Sequence, residues 1–151
     1  MTIEETNAAT LAHIMRVRDL LNKMIIDLLD RGRKHDQSKL ISPEVELFTE
    51  YTEKLATCTY GSDEYKTFLK EMAPALEHHY ANNRHHPEHY PKGVNDMTLM
   101  DLVEMLCDWK ASSERHNDGN ILKSIEINMK RFEITPQLAG ILTNTAKEMF
   151  K

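Results

Sequence analysis

The chain has 151 residues, of which 40% are apolar and 28% charged, and its formal net charge is −5. A chain of that length fits one domain able to bury its own core without disulfides or a structural metal, and its acidic balance excludes the basic face of a nucleic-acid-binding domain. The two cysteines, Cys58 and Cys107, are far apart and form no CxxC pair, which excludes a zinc finger and argues against a disulfide framework.

Apolar residues at Leu11, Ile14, Val17, Leu21, Met24, Ile25 and Leu28 recur at helical spacing and predict one long first helix. Thr6 or Asn7 can cap its start, and Gly32 suits the position just past its end. Arg31, Arg33 and Lys34 then read as cations at a helix C-terminus rather than as a binding patch. A second helix is expected from Ser42-Pro43-Glu44, with Ser42 as cap and Pro43 in the first turn, ending before Gly61. Ser62 caps a third, which Pro74 should kink. Residues 84–96 form a loop with two prolines and a glycine. "MTLMDLVEMLCDWKASSER" is the next helix, capped by Asp96 or Thr98, and two more run from Ile121 to Phe132 and from Thr135 to Phe150. No strand pattern, repeat or low-complexity segment stands out. The expected fold is all-α, five to seven helices in a single domain over residues 1–151. No apolar run approaches the roughly 20 residues of a membrane span, and no signal-peptide pattern is present, so a cytoplasmic protein is expected.

Eight histidines occur, five of them between His78 and His89. His13 shares the apolar face of the first helix, where a histidine must find partners for its ring nitrogens. His35-Asp36 sits at a helix junction, where an imidazole and a carboxylate can converge on one divalent ion; Asp36 can equally cap the helix that follows. Lys39 beside them can hold a phosphate oxygen. His78 and His79 close a helix and are placed to serve as ligands. His85, His86 and His89 lie in the loop beyond, next to Arg84, which can grip an anion bidentately. Glu104 and Asp108 share a helix face at i and i+4, a repulsive pair unless a cation lies nearby. No P-loop, GxSxG or GxGxxG motif is present, which leaves histidine–carboxylate chemistry.

The order His13, His35-Asp36, His78-His79, Asp108 resembles the HD-domain superfamily, whose metal ligands come in the order H…HD…D. "HDQSK" is similar to the HDxxK form, in which the lysine approaches a substrate phosphate. "HH" at His78-His79 is similar to the paired histidines of the HD-GYP branch. A closer resemblance, over about residues 8 to 150, is to an uncharacterised family of small phage and bacterial HD-like proteins sharing "HDQSK…SPE", "HHYANNRHHPEHY" and "MTLMDLVEMLCDW". Residues 37 to 77 contain no histidine, and the GYP element is absent, so a cyclic-dinucleotide activity is not implied.

The resemblance implies an all-helical, metal-dependent phosphohydrolase acting on a small phosphorylated metabolite, most plausibly a nucleotide. It implies one or two divalent ions (manganese, iron, cobalt, nickel, zinc or magnesium) held by His13, His35, Asp36, His78, His79 and Asp108. Asp36 would also take a catalytic role with Lys39. Phosphate contacts are expected from Lys39, Arg16, Arg84, His85 and His86, with Glu104 orienting a ligand from behind. Neither a nucleic-acid duplex nor a membrane is an expected partner, and a homodimer is a further expectation. Two other readings are a di-iron oxygenase of the HD type and a non-catalytic effector that binds a nucleotide or a host protein.

Overall fold

The computed structural model describes residues 1–58, 62–115, 117 and 119–150; the turn predicted at Gly61 lies outside them. The described residues are all-helical, with seven α-helices and no strand. The chain divides into two compact units, Met1–Lys34 and His35–Lys151. No described helix is long and apolar enough to cross a membrane.

The first unit is a single helix, α1, over Ile3–Lys34. It does not stop at Gly32 as expected: a glycine costs a helix only about 1 kcal/mol, and the basic last turn of Arg31, Arg33 and Lys34 stabilises the end. Those cations pair along the helix, Arg31 with Asp27 at 2.6 Å and both Arg33 and Lys34 with Asp30 at 2.8 and 2.7 Å. Taken by itself α1 buries none of its residues, since a lone helix has no second element to cover its apolar stripe. The left-handed residue expected at the glycine is instead Asp36, with φ 55° and ψ 16°. Aspartate is one of the few non-glycine residues that visit this region.

The second unit begins with a 3-10 turn at Gln37–Leu40 and continues through α2 (Glu44–Thr57), α3 (Asp63–Glu71) and α4 (Ala73–Asn82). Pro43 rather than Ser42 occupies the cap position of α2, and no side chain caps that helix. Ser62 caps α3 as predicted, its hydroxyl accepting from the Tyr65 amide. Pro74 does more than kink: the chain breaks at Met72, and the proline falls in the first turn of α4, where its missing N–H has no intrahelical partner to lose.

Two further 3-10 turns, Pro87–His89 and Gly93–Asp96, lead into α5 (Leu99–Ser113), α6 (Ile121–Arg131) and α7 (Pro136–Met149). Thr98 caps α5 in a reciprocal box: its hydroxyl accepts from the Asp101 amide, and its own amide donates to Asp101 Oδ2 at 2.8 Å. Thr98→Ala should therefore lower unfolding stability by about 1 kcal/mol, read as a shifted denaturant midpoint.

The core of this unit lies between α5, α6 and α7, around Met105, Leu106, Ile125, Ile134, Leu142 and Ala146. Trp109 packs against it and stacks on Phe132, ring planes 6° apart, which gives the tryptophan a core role. The α5 register thus turns Met105, Leu106 and Trp109 to the core. Asp101, Glu104 and Asp108, at i, i+3 and i+7, share a neighbouring stripe of the same helix. Asp101 is consumed structurally, fully buried and accepting from Thr98 and from the Tyr90 hydroxyl at 2.8 Å. Glu104 and Asp108 remain for the site.

Candidate metal centre

Four segments of the second unit bring polar groups together: the 35–40 junction, the start of α2, the end of α4 with the loop after it, and the middle of α5. α2 packs against both α4 and the Gln37–Leu40 turn, so the "HDQSK" run faces the histidines that end α4. The left-handed backbone at Asp36 reverses the chain there, and this allows His35 and Asp36, adjacent in sequence, to aim at one point.

The donors fall into two overlapping groups. Asp36, His79, His85 and His86 each offer one ligand atom within 4.8 Å of the others, and so do His35, His85 and Asp108. Nε2 of His79 and of His85 each lie 3.5 Å from Asp36 Oδ1. His35 Nε2 is 3.6 Å from both Asp36 Oδ2 and Asp108 Oδ1, and His85 Nε2 is 4.0 Å from Asp108 Oδ2. The His79 and His86 Nε2 atoms approach to 2.9 Å. Asp36 therefore presents one oxygen to each group. His85, with a single Nε2, can serve only one ion at a time.

Behind these donors stand two carboxylates. Glu104 Oε1 lies 3.0 Å from His35 Nδ1 and 3.2 Å from His85 Nδ1. Glu44, fully buried, accepts from His78 Nδ1 through Oε1 at 2.6 Å and from His79 Nδ1 through Oε2 at 2.8 Å. An ionised carboxylate only accepts, so the proton sits on Nδ1 of each ring it holds. In a neutral ring the Nε2 lone pair is then left for the interior. This carboxylate–imidazole arrangement is the usual support of metal-ligating histidines.

Two buried polar side-chain atoms have no hydrogen-bond partner among the described residues, Asp36 Oδ1 and His85 Nε2. They are the same pair that faces across 3.5 Å. Leaving a buried acceptor unmatched costs about 1–3 kcal/mol, and a cation between two such atoms would satisfy both. The donor set fits a divalent metal ion: imidazole nitrogens with carboxylate oxygens, buried, and supported from behind.

The electrostatics agree with a site arranged for a cation. The carboxylates of Asp108 and Glu104 hold the His35 imidazolium up to a pKa of about 10. Burial, with His85 and His79 adding to it, pushes His86 down to about 3. Burial and the Lys39 ammonium also lower His79. Burial raises the Asp36 and Asp108 carboxyls, but Lys39 at the first and the His35 ring at the second outweigh it, and both end below the usual range.

These shifts define how the metal-free protein responds to pH. His35 binds its proton more tightly folded than unfolded, so its contribution is complete below 6.5 and is lost as pH rises towards 10. His86 does the reverse: the unfolded chain takes up a proton between 6.5 and 3 that the folded one refuses, so stability falls with pH across that window. Thermal midpoints of metal-free protein should peak near pH 6.5 and decline on both sides. At neutral pH an ion entering at His35 must displace that proton, so calorimetry in buffers of different ionisation enthalpy should show about one proton released per ion bound there.

Beside the donors opens a cleft of about 850 Å³, whose lining includes His35, Asp36, Lys39, Phe48, Asp108 and Arg115. Lys39 Nζ is 2.6 Å from Asp36 Oδ2 and 5.5 Å from the Phe48 ring centre, at the boundary between the donors and the apolar wall of the cleft.

The remaining sequence candidates are distributed as follows. His13 and Arg16 are exposed positions of α1, in the first unit, and neither belongs to the gathered donors. His78, expected as a ligand, spends its Nδ1 on Glu44 and joins neither group. His85 and His86, expected at the substrate, are themselves donors, and His85 is buried to 1% exposure. Arg84 donates to the Tyr90 hydroxyl at 3.1 Å and lies 3.4 Å from Asp101. His89 holds the backbone carbonyl of Tyr80 at 2.7 Å.

Sequence reasoning passed over Glu44, Asn83 and Ser38. Asn83 donates to the Ser38 hydroxyl at 2.8 Å and to the His79 carbonyl at 2.8 Å, tying the junction to the end of α4. The only signal for Glu44 was its place in "SPE", where an acid in a first helical turn has an ordinary reading as a dipole partner.

Fold and donor set together define an all-helical protein with a buried histidine–carboxylate cluster that can hold a metal ion. Residues 2–148 match a family of unknown function (DUF5662), and the chain belongs to that family. No curated protein and no solved structure matches it.

Proposed function

We propose that the protein is a metal-dependent phosphohydrolase of the HD type, acting on a small phosphorylated metabolite, most plausibly a nucleotide. The observation that carries this reading is the pair of unpartnered buried atoms, Asp36 Oδ1 and His85 Nε2, behind a cleft that Asp36 lines together with Lys39. His79, His85 and His86 with Asp36 would hold one ion; His35 and Asp108, with the second Asp36 oxygen, are suited to another. Three imidazoles in one group favour manganese, iron, cobalt, nickel or zinc over magnesium, which prefers oxygen ligands.

A bound divalent ion supplies a water of lowered pKa and offsets charge on the phosphoryl oxygens. The protein's own part is positional. Lys39 has three N–H donors, one engaged by Asp36, and can turn the others to a phosphoryl oxygen. Arg115, further along the cleft, offers a second cation, and Phe48 an apolar face for the organic part of the substrate. Asp36 and Asp108, ionised at neutral pH, are the acceptors at hand for the proton of the attacking water. As the water oxygen bonds to phosphorus, the bond from phosphorus to the leaving oxygen breaks, and that oxygen takes up the proton the carboxylate received from the water.

Metal analysis of the purified protein is the first test, followed by nucleoside mono-, di- and triphosphates with manganese, cobalt or zinc. Release of inorganic phosphate that requires the metal is the expected result. A protein that binds no divalent metal sinks the proposal. Iron retained with oxygen uptake would transfer the site to oxygenase chemistry, and tight nucleotide binding without turnover to an effector role.

A further inference from the structure

Glu44 is fully buried, yet it stands outside both donor groups and touches the centre only through histidines. Each of its oxygens serves a different ring, Oε1 for His78 and Oε2 for His79. Both bonds are short, 2.6 and 2.8 Å, and an ionised carboxylate can only accept in each. His79 is itself 2% exposed, and its Nε2 is the atom that meets Asp36 and His86. The Asn83 amide nitrogen at 3.1 Å and the Ser38 hydroxyl at 3.4 Å also stand beside His79 Nδ1, but the carboxylate oxygen at 2.8 Å is the nearest group and can only accept. It therefore fixes the single proton of a neutral ring on Nδ1 and leaves Nε2 as a ligand.

We propose that Glu44 is a positioning residue that locks His78 and His79 in the Nδ1–H form and so keeps the Nε2 of His79 available to the metal. The inference rests on the metal reading above for its purpose, but its mechanism is present in the metal-free protein. A neutral amide cannot do the same work for two rings. Glutamine has one accepting oxygen and an NH2 that only donates, so one ring of the pair would face a donor and must present a lone pair from Nδ1. The arrangement also gives His78 a definite role: it occupies the second oxygen of Glu44, and would compete with His79 wherever position 44 offers only one acceptor.

The test uses full-length protein with 15N-labelled histidine. Long-range 1H–15N spectra of the metal-free form read the tautomer of each ring, and competition titrations with Co²⁺ read affinity. In wild type both rings should be Nδ1–H. In E44Q one of them should leave that form. E44A should bind Co²⁺ about 10- to 100-fold more weakly, as loss of such a supporting partner generally costs. In E44Q/H78A the single amide oxygen is freed for His79, which should return to Nδ1–H with Co²⁺ affinity within about threefold of H78A alone.

Both rings remaining Nδ1–H in E44Q would overturn the proposal. So would a His79 that stays in the other tautomer in E44Q/H78A, or a folded E44A that binds Co²⁺ as wild type does. If E44A does not fold, the isosteric E44Q and its double variant carry the test alone. Wild-type protein that fails to bind Co²⁺ would defeat the phosphohydrolase reading while leaving the tautomer result to stand or fall by itself.

Discussion

Asp36→Asn should abolish metal binding, with at least about a 100-fold loss of Co²⁺ or Zn²⁺ affinity and no metal-dependent phosphate release above background. Asp36 offers a separate oxygen to each side of the cluster, 3.5 Å from His79 and His85 through Oδ1 and 3.6 Å from His35 through Oδ2. An amide keeps the shape but loses the charge, and only one of its two ends can ligate. Asparagine is the informative replacement because it tolerates the left-handed backbone at φ 55°, which alanine does not, so helical content by circular dichroism should stay at the wild-type level. Asp36→Ala should also lose the metal, but with an added backbone cost of about 1–2 kcal/mol in the unfolding midpoint. An Asp36→Asn protein that retains wild-type affinity would place the ion elsewhere.

His85→Leu should separate metal binding from stability. His85 is common to both donor groups and is almost fully buried, with an Nε2 that has no partner and an Nδ1 beside Glu104. Leucine fills similar space and removes the unmatched nitrogen, a group that costs about 1–3 kcal/mol where it stands. Glu104 keeps its bond to His35. The metal-free variant should therefore unfold at a midpoint no lower than that of the metal-free wild type. The contrast appears on adding metal: at 100 times Kd of the ion that His85 would hold with His79 and His86, the wild type should gain about 2.7 kcal/mol from that ion, and the variant should lose this gain. Equal stabilisation of both proteins by metal would show that His85 is not a ligand. Stability given up at a site and recovered on ligand binding is the common exchange between function and fold.

Much of this architecture was legible from the sequence, for a reason that differs between elements. Helices α5, α6 and α7 were read nearly to the residue because their apolar periodicity is local and their starts are too: Thr98, one of the two caps the sequence offered for α5, and Thr135 accept backbone amides, as does Asn120, which the sequence reading did not single out. The end of α1 was misread at Gly32 because a glycine only permits a left-handed turn, whereas the turn itself is taken at Asp36, where the surrounding structure holds the chain. Pro74 announced a disruption, but its form, a break at Met72, depends on how α3 and α4 pack on α2.

The chemistry divides along the same line. The ligand set His13, His35, Asp36, His78, His79 and Asp108 was implied by the resemblance to the HD-domain order, whereas composition and spacing alone determined that this is an all-helical chain whose reactive inventory is histidine and carboxylate. Those readings depend on residue type and helical period, both of which are local. Which nitrogen each imidazole presents was decided only by tertiary structure, because a partner far along the chain sets it: Glu104 for His35 across 69 positions, and Glu44 for His79 across 35. The same holds for His85, which looked like an exposed loop residue and is instead the most enclosed donor of the site. Burial is a property of what packs over a residue, and here His79 of α4, Glu104 and Asp108 of α5 and the His35-Asp36 junction close around His85, whose own sequence neighbourhood is that of a loop.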